Sequence, residues 1–208
     1  MRYPERFWDR IAKNYDKSSD QKRKDLLETI EKIKSHLDPS DQVLDFACGT
    51  GEKALGVSSC VRSIHGIDLS QKMIEKASVK VTDRQIDNAQ FSRTDLFDPT
   101  LKPGSYDAIM AFYIFHLVDD PAQVFKRTCD LLKPDGRLIC EAPCLAESGA
   151  MIGWLIAFAG KIGVLPTVRC FKMAELKSMI TSASSLQLVE SEPVGKNRNH
   201  LFIVAKKA

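Results

Sequence analysis

Apolar positions along this chain alternate between two spacings. Short apolar or alternating runs at residues 42–47, 63–68, 90–93, 106–112, 137–141, 186–191 and 200–205 have the length and character of strands. Between them the spacing turns helical. Leu26, Ile30, Ile33 and Leu37 share one stripe of a helix over 20–37, with Leu27 beside it. Phe7, Trp8, Ile11 and Ala12 share a side of a shorter helix over 7–15. Further helices are predicted over 52–59, 70–81, 121–132, 150–162 and 172–183. Ser70 and Asp120 stand as N-caps, and Pro121 takes a first position where no N–H is needed. Lys133-Pro134-Asp135-Gly136 reads as a turn. Strand alternating with helix predicts an α/β fold, a doubly wound, mostly parallel seven-stranded sheet covered on both faces. One domain over 1–208 is expected, with cap helices within 1–37 and an apolar, lid-like insertion over 149–168.

Composition narrows the class little further. The 208 residues suffice for a full core. A net charge of +3 does not describe a nucleic-acid-binding surface. The first ten residues lack an apolar signal core, and no apolar run reaches the roughly 20 residues of a membrane span, so a cytoplasmic location is expected. Cys48, Cys60, Cys129, Cys140, Cys144 and Cys170 form no C-x-x-C pair and read as reduced structural thiols, with a catalytic thiol as the alternative.

The chemistry concentrates at VLDFACGTGEKAL, residues 43–55, and IHGIDLS, residues 64–70. An apolar strand ends in Asp45, the chain turns through Gly49 and Gly51, a helix begins at Glu52, and a second strand ends in Asp68. That is the first half of a nucleotide-binding fold. A dinucleotide would set its pyrophosphate on the helix N-terminus. Here Asp45 and Glu52 flank the turn, which disfavours an anion and suits an ammonium or sulfonium. With Asp68 placed for ribose hydroxyls, the ligand predicted is S-adenosylmethionine.

These segments resemble the class I S-adenosylmethionine-dependent methyltransferases, most of all the quinone-biosynthesis type and its small-molecule relatives. VLDFACGTG resembles their first motif, with Ala47 where a glycine is usual, a change expected only to tighten packing slightly. SRTDLFDP (92–99), YDAIMAFYIFHLVDDP (106–121) and LLKPDGRLICEAP (131–143) resemble later ones, and the likeness extends over nearly the whole chain. It implies a Rossmann-like methyltransferase fold with LFIVAKK as an antiparallel strand. It also implies that Asp45, Ala47, Cys48, Gly49, Thr50 and Gly51 hold the methionine part. Asp68 and Leu69 would hold the ribose, Met73, Asp95 and Leu96 the adenine, and Ala111 and Phe112 would lie near the sulfonium. Tyr15, in IAKNYDK, would reach the methionine carboxylate, and Trp8 or Phe7 the acceptor. Removing Asp68 is expected to weaken the cofactor and leave the ligand-free protein unaffected.

His116, just past the fourth strand, is the candidate base, against a packing role. A metal held by His116 with Asp119 and Asp120 competes with the plain N-cap reading of Asp120, and no metal is expected. Phe112, Tyr113 and Phe115 either line the transfer site or pack the core. The position reading AFYIFH lacks the amide and prolines of nucleic-acid amino-methyltransferases, so the expected partner is a small, apolar molecule. Two rivals stay open, a nicotinamide-dependent oxidoreductase and a non-catalytic cofactor-binding protein. Gly149 to Pro166 has almost no polar face, so it either buries wholly or meets a substrate, a second subunit or, transiently, a membrane surface.

Overall fold

A computed structural model gives the fold and describes residues 5–17, 19–148, 168–183 and 185–208. The helices are α1 (Glu5–Ala12), α2 (Asp20–Lys34), α3 (Glu52–Val57), α4 (Gln71–Asp83), α5 (Pro121–Leu131) and α6 (Met173–Ala183). The strands are β1 (Gln42–Phe46), β2 (Ser63–Asp68), β3 (Ala89–Arg93), β4 (Tyr106–Phe112), β5 (Leu132–Pro143), β6 (Leu186–Val194) and β7 (His200–Lys207). They form one sheet in the order β3-β2-β1-β4-β5-β7-β6. The first five strands are parallel to one another, and β7 runs antiparallel to both β5 and β6. The predicted helix over 150–162 and the lid-like stretch, Val168 apart, lie outside the described residues. No helix among the described residues is long and apolar enough to cross a membrane.

Side chains alternate across each strand, and the sheet separates two cores. Leu44, Phe46, Ile109 and Ala111 face α5 and α6, where Phe125, Leu176 and Ile180 meet them. Val43, Met110 and Phe112 face the other way, against Ile30 and Ile33 of α2 and Ala54 and Val57 of α3. Asp45, two residues after Val43, belongs to this second face. The chain leaves β1 toward β2 and β3, then returns to β4 on the other side. Between β1 and β4 the carboxyl ends therefore splay open, the place where such sheets bind ligands.

Caps follow their chemistry. Ser70 Oγ accepts from Met73 N at 3.2 Å to start α4, and Asp120 Oδ1 accepts from Gln123 N at 3.1 Å to start α5. Asp120 is thus a cap. The predicted turn at 133–136 is instead a bulge inside β5. Leu132 already pairs with Tyr106, and the next ladder contact joins Ala108 to Arg137. Asp135 takes φ 64°, and a Cβ on Gly136 would meet Lys133 O at 2.9 Å. The intervening residues loop out where Pro134 could not have joined the ladder.

Candidate active site

The β1–α3 turn is built by left-handed residues. Gly49 (φ 54°) and Gly51 (φ 76°) occupy that region without penalty, but so does Ala47 at φ 59°. The effect of alanine at this position is therefore backbone strain, not the slightly tighter packing expected. A left-handed non-glycine residue costs about 1–2 kcal/mol, and glycine's extra chain entropy returns about 0.5–1 kcal/mol of that. Ala47→Gly should raise stability by up to about 1 kcal/mol in urea unfolding; a loss of stability would show that the Ala47 methyl packs too well to give up.

Polar groups fix the turn from several sides. Gly49 N–H donates to Asp68 Oδ2 at 3.0 Å and Ser70 N–H to Asp68 Oδ1 at 2.9 Å. Burial pushes the Asp68 carboxyl up, and these backbone donors pull it part of the way back. Thr50 Oγ1 donates to Asp16, and Lys80 Nζ donates to Thr50 O at 3.0 Å. Lys80 also pairs with Glu52 at 2.6 Å, as does Arg84 at 2.9 Å. Glu52 is therefore neutralised by its neighbours. The anion-repelling charge that the sequence assigned to both acids rests on Asp45 and Asp68.

Asp45 is 3 % exposed, and burial raises its pKa to about 7, against the pull of Lys53. Burial in turn lowers the Lys53 ammonium, against the pull of Asp45, Glu141 and Glu52. Lys53 Nζ lies 5.1 Å from the centroid of the Phe112 ring and 5.2 Å from that of Tyr113. A cation thus already lies near two aromatic faces and within the field of Asp45, an environment that suits an ammonium or sulfonium.

Two adjacent chambers share Tyr15, Ala47, Gly49, Phe112 and Tyr113. The first, about 930 Å³ with its open mouth, is lined by Asp68, Leu69, Met73 and Asp95 together with Trp8, Ile114, His116 and Leu117. The second reaches Asp45, Cys48, Thr50 and Lys53. A Cβ on Gly49 would stand 3.6 Å from the Tyr15 ring, so Tyr15 lies directly over the turn. Burial and the charges of Asp68 and Asp16 push its hydroxyl up. Asp95 faces the first chamber, its Oδ1 accepting from Phe97 N at 2.7 Å.

Several predicted residues stand elsewhere. The Leu96 and Ala111 side chains are wholly buried in the α5–α6 core and do not face the cleft. Gly51 backs onto Phe91 and Ala77. Phe115 stacks on Phe125 at 4.3 Å in the core and lines neither chamber. His116 lines the cleft, but its Nδ1 is buried with no hydrogen-bond partner among the described residues. Burial and the nearby His200 press its pKa down to about 4. The Cys48 thiol is pushed up by burial and by Asp45 and Asp68, which suits a structural thiol.

Sequence reasoning also missed residues. Asp9 of α1 accepts from Ser70 Oγ at 2.6 Å and from Lys72 N at 3.2 Å, fastening α1 to the start of α4. The Ser70 bond holds the Asp9 carboxyl below its usual range. Asp9 and Lys53 resemble ordinary helix-surface charges in the sequence and carry no local signal.

A family model described as a methyltransferase domain matches residues 37–192. The chain belongs to this family. A demethylmenaquinone methyltransferase of Lactiplantibacillus plantarum is 28% identical over 142 residues, which cover 64% of this chain and 59% of that protein. A ubiquinone biosynthesis O-methyltransferase of Albidiferax ferrireducens is 31% identical over 105 residues, 49% of this chain and 42% of that protein. The chain thus spans about half the length of these curated relatives. Geranyl diphosphate C-methyltransferase of Streptomyces coelicolor, solved with Mg2+, geranyl diphosphate and S-adenosylhomocysteine, superposes with a TM-score of 0.71 at 14% identity. That match covers 87% of this chain and 77% of that one, and it speaks for the fold alone. Class I S-adenosylmethionine-dependent methyltransferases are the group into which family, fold and turn together place the chain. The nicotinamide-dependent alternative falls away.

Proposed function

We propose that this protein transfers a methyl group from S-adenosylmethionine to a small organic molecule with a largely apolar body. The carrying observation is the lining of the cleft. Asp68 and Asp95, with Asp45 next door, suit a nucleoside bearing an amino acid, and the same cleft carries the apolar side chains of Trp8, Phe112, Ile114 and Leu117. One relative is named for demethylmenaquinone and another for ubiquinone biosynthesis, which supports a small-molecule acceptor. When bound, the cofactor supplies an activated methyl group and a neutral leaving group. The protein's part is to align the acceptor and exclude water. Asp68 would hold the ribose, Asp95 the adenine edge, and Asp45 with Tyr15 the amino-acid end.

Calorimetry with S-adenosylmethionine, S-adenosylhomocysteine and NAD tests the cofactor, and a product assay separates an enzyme from a binding protein. Asp68→Ala should weaken S-adenosylhomocysteine by about 1.5–3 kcal/mol, the range for hydrogen bonds to a charged group. It should also lower ligand-free stability by about 1–2 kcal/mol, because Asp68 caps two backbone N–H groups without any ligand. That second effect departs from the sequence expectation. Unaltered affinity in the folded variant would remove Asp68 from the site.

A further inference from the structure

Beside the cofactor cleft lies a constellation without a role in the binding described above. Glu141 on β5 is 3 % exposed, and its Oε1 accepts two hydrogen bonds. One comes from the Tyr113 hydroxyl at 2.6 Å and the other from His200 Nδ1 at 2.9 Å. As a carboxylate, Glu141 would hold the imidazole proton on Nδ1 and leave Nε2 as the nitrogen that takes another.

The backbone is bent to make this contact. Tyr113 holds φ 58°, a costly conformation for a bulky side chain, and its N–H donates to Glu141 O at 2.8 Å. Its ring meets the His200 ring edge-on at 5.5 Å. The three residues come from the tip of β4, the end of β5 and the start of β7, so antiparallel pairing of β7 with β5 gathers them at the carboxyl edge of the sheet. Tyr113 also lines the cofactor cleft, while Glu141, His200 and Phe202 line the groove next to it. The constellation therefore stands between the cofactor cleft and a largely polar groove that also carries Asp25, Glu28, Lys32 and Glu192. His116, orphaned at Nδ1 and pressed toward about 4, is by contrast a poor proton acceptor near neutrality.

We propose that His200, oriented by Glu141, is the catalytic base of this site and that its acceptors are phenols or enols. The inference rests on the methyl-transfer reading above. The acceptor O–H bond breaks, its proton goes to His200 Nε2, and the electron pair stays on oxygen. That oxygen bonds to the methyl carbon as the carbon–sulfur bond breaks and leaves its pair on sulfur. Glu141 stabilises the imidazolium, which then returns its proton to solvent. Glu141 and Tyr113 are positioning residues.

The test uses 4-nitrophenol, whose phenolate absorbs visibly and whose phenol does not, added to the protein saturated with S-adenosylhomocysteine below the phenol's own ionisation range. The wild type should show a saturable phenolate band. His200→Gln, and His200→Asn, which keeps a donor toward Glu141, should lose the band and retain the affinity for S-adenosylhomocysteine measured by calorimetry. Glu141→Gln should weaken the band, and His116→Gln should keep it. Three results would each overturn the proposal: no saturable band in the wild type, a band undiminished in both His200 variants, or a band that disappears with His116. A wild type that binds no S-adenosylhomocysteine would instead sink the cofactor reading, so the two failures are distinguishable.

Discussion

Asp45→Asn should stabilise the cofactor-free protein at pH 8 and at the same time remove most of its affinity for S-adenosylmethionine. Burial raises the Asp45 carboxyl to about 7, although Lys53 is beside it. In the unfolded chain the same group ionises near 3.8. Between about pH 4 and 7 the unfolded state therefore gives up a proton that the folded state keeps. The folded state binds more protons, so stability falls as pH rises through that window and levels off above it. A displacement of that size corresponds to a penalty of about 4 kcal/mol above pH 7. Asparagine carries no such penalty. It forfeits the attraction to Lys53 and buries an amide in need of partners, about 1–3 kcal/mol. The net expectation is a gain of about 1–3 kcal/mol at pH 8 and no gain at pH 4. Urea unfolding at the two pH values measures it, and an equal change at both would mean that Asp45 does not titrate in this way. The affinity loss should be about tenfold to a hundredfold, the worth of a hydrogen bond to a charged group. This acid would then be kept for its ligand at a cost to the fold.

Much of this was legible in the sequence where local and global requirements coincide. β2 and β4 occur at their predicted bounds: β4 ends in five consecutive buried residues, Ala108 to Phe112, and β2 sets buried Ile64 and Ile67 between turn and helix signals that delimit it. β5 begins earlier than predicted because Lys133-Pro134-Asp135-Gly136 carries every local sign of a turn, and only pairing with β4 turns it into a bulge. β6 and β7 run past their predicted ends because they pair with each other, a partner that no local window contains. The same division holds at the site. Asp45, Gly49, Gly51 and Asp68 lie within one strand–turn–helix–strand unit and could be read in order. Glu141 and His200 are 59 positions apart and meet only through the β5–β7 ladder. A usable signal did exist for Glu141, a lone acid inside the apolar run LICEAP, where an unpaired charge would be costly to bury.

The Phe91 ring should set the tolerance of two glycines at once. A Cβ on Gly66 of β2 would overlap Phe91 Cδ1 and Cε1, and would stand 3.2 Å from Cys48 Sγ in the ligand turn. A Cβ on Gly51 would stand 2.8 Å from Phe91 Cζ and 3.2 Å from Ala77 Cβ. In an ordinary strand, glycine to alanine gains about 0.5–1 kcal/mol. At Gly66 overpacking should reverse the sign and cost about 1–3 kcal/mol. Gly51→Ala should cost more, because the left-handed backbone at φ 76° adds about 1–2 kcal/mol of strain to the same clash. Phe91→Leu separates the two causes. In that background Gly66→Ala should lose most of its cost, since the severe overlap is with the ring and only the 3.2 Å contact with Cys48 Sγ remains. Gly51→Ala should keep the backbone part, about 1–2 kcal/mol, since no repacking changes φ. Four-way unfolding comparisons give the coupling between each glycine and the ring. Equal rescue of both variants would show that strain at Gly51 contributes nothing. Rescue of neither would show that the Phe91 ring is not what limits either glycine.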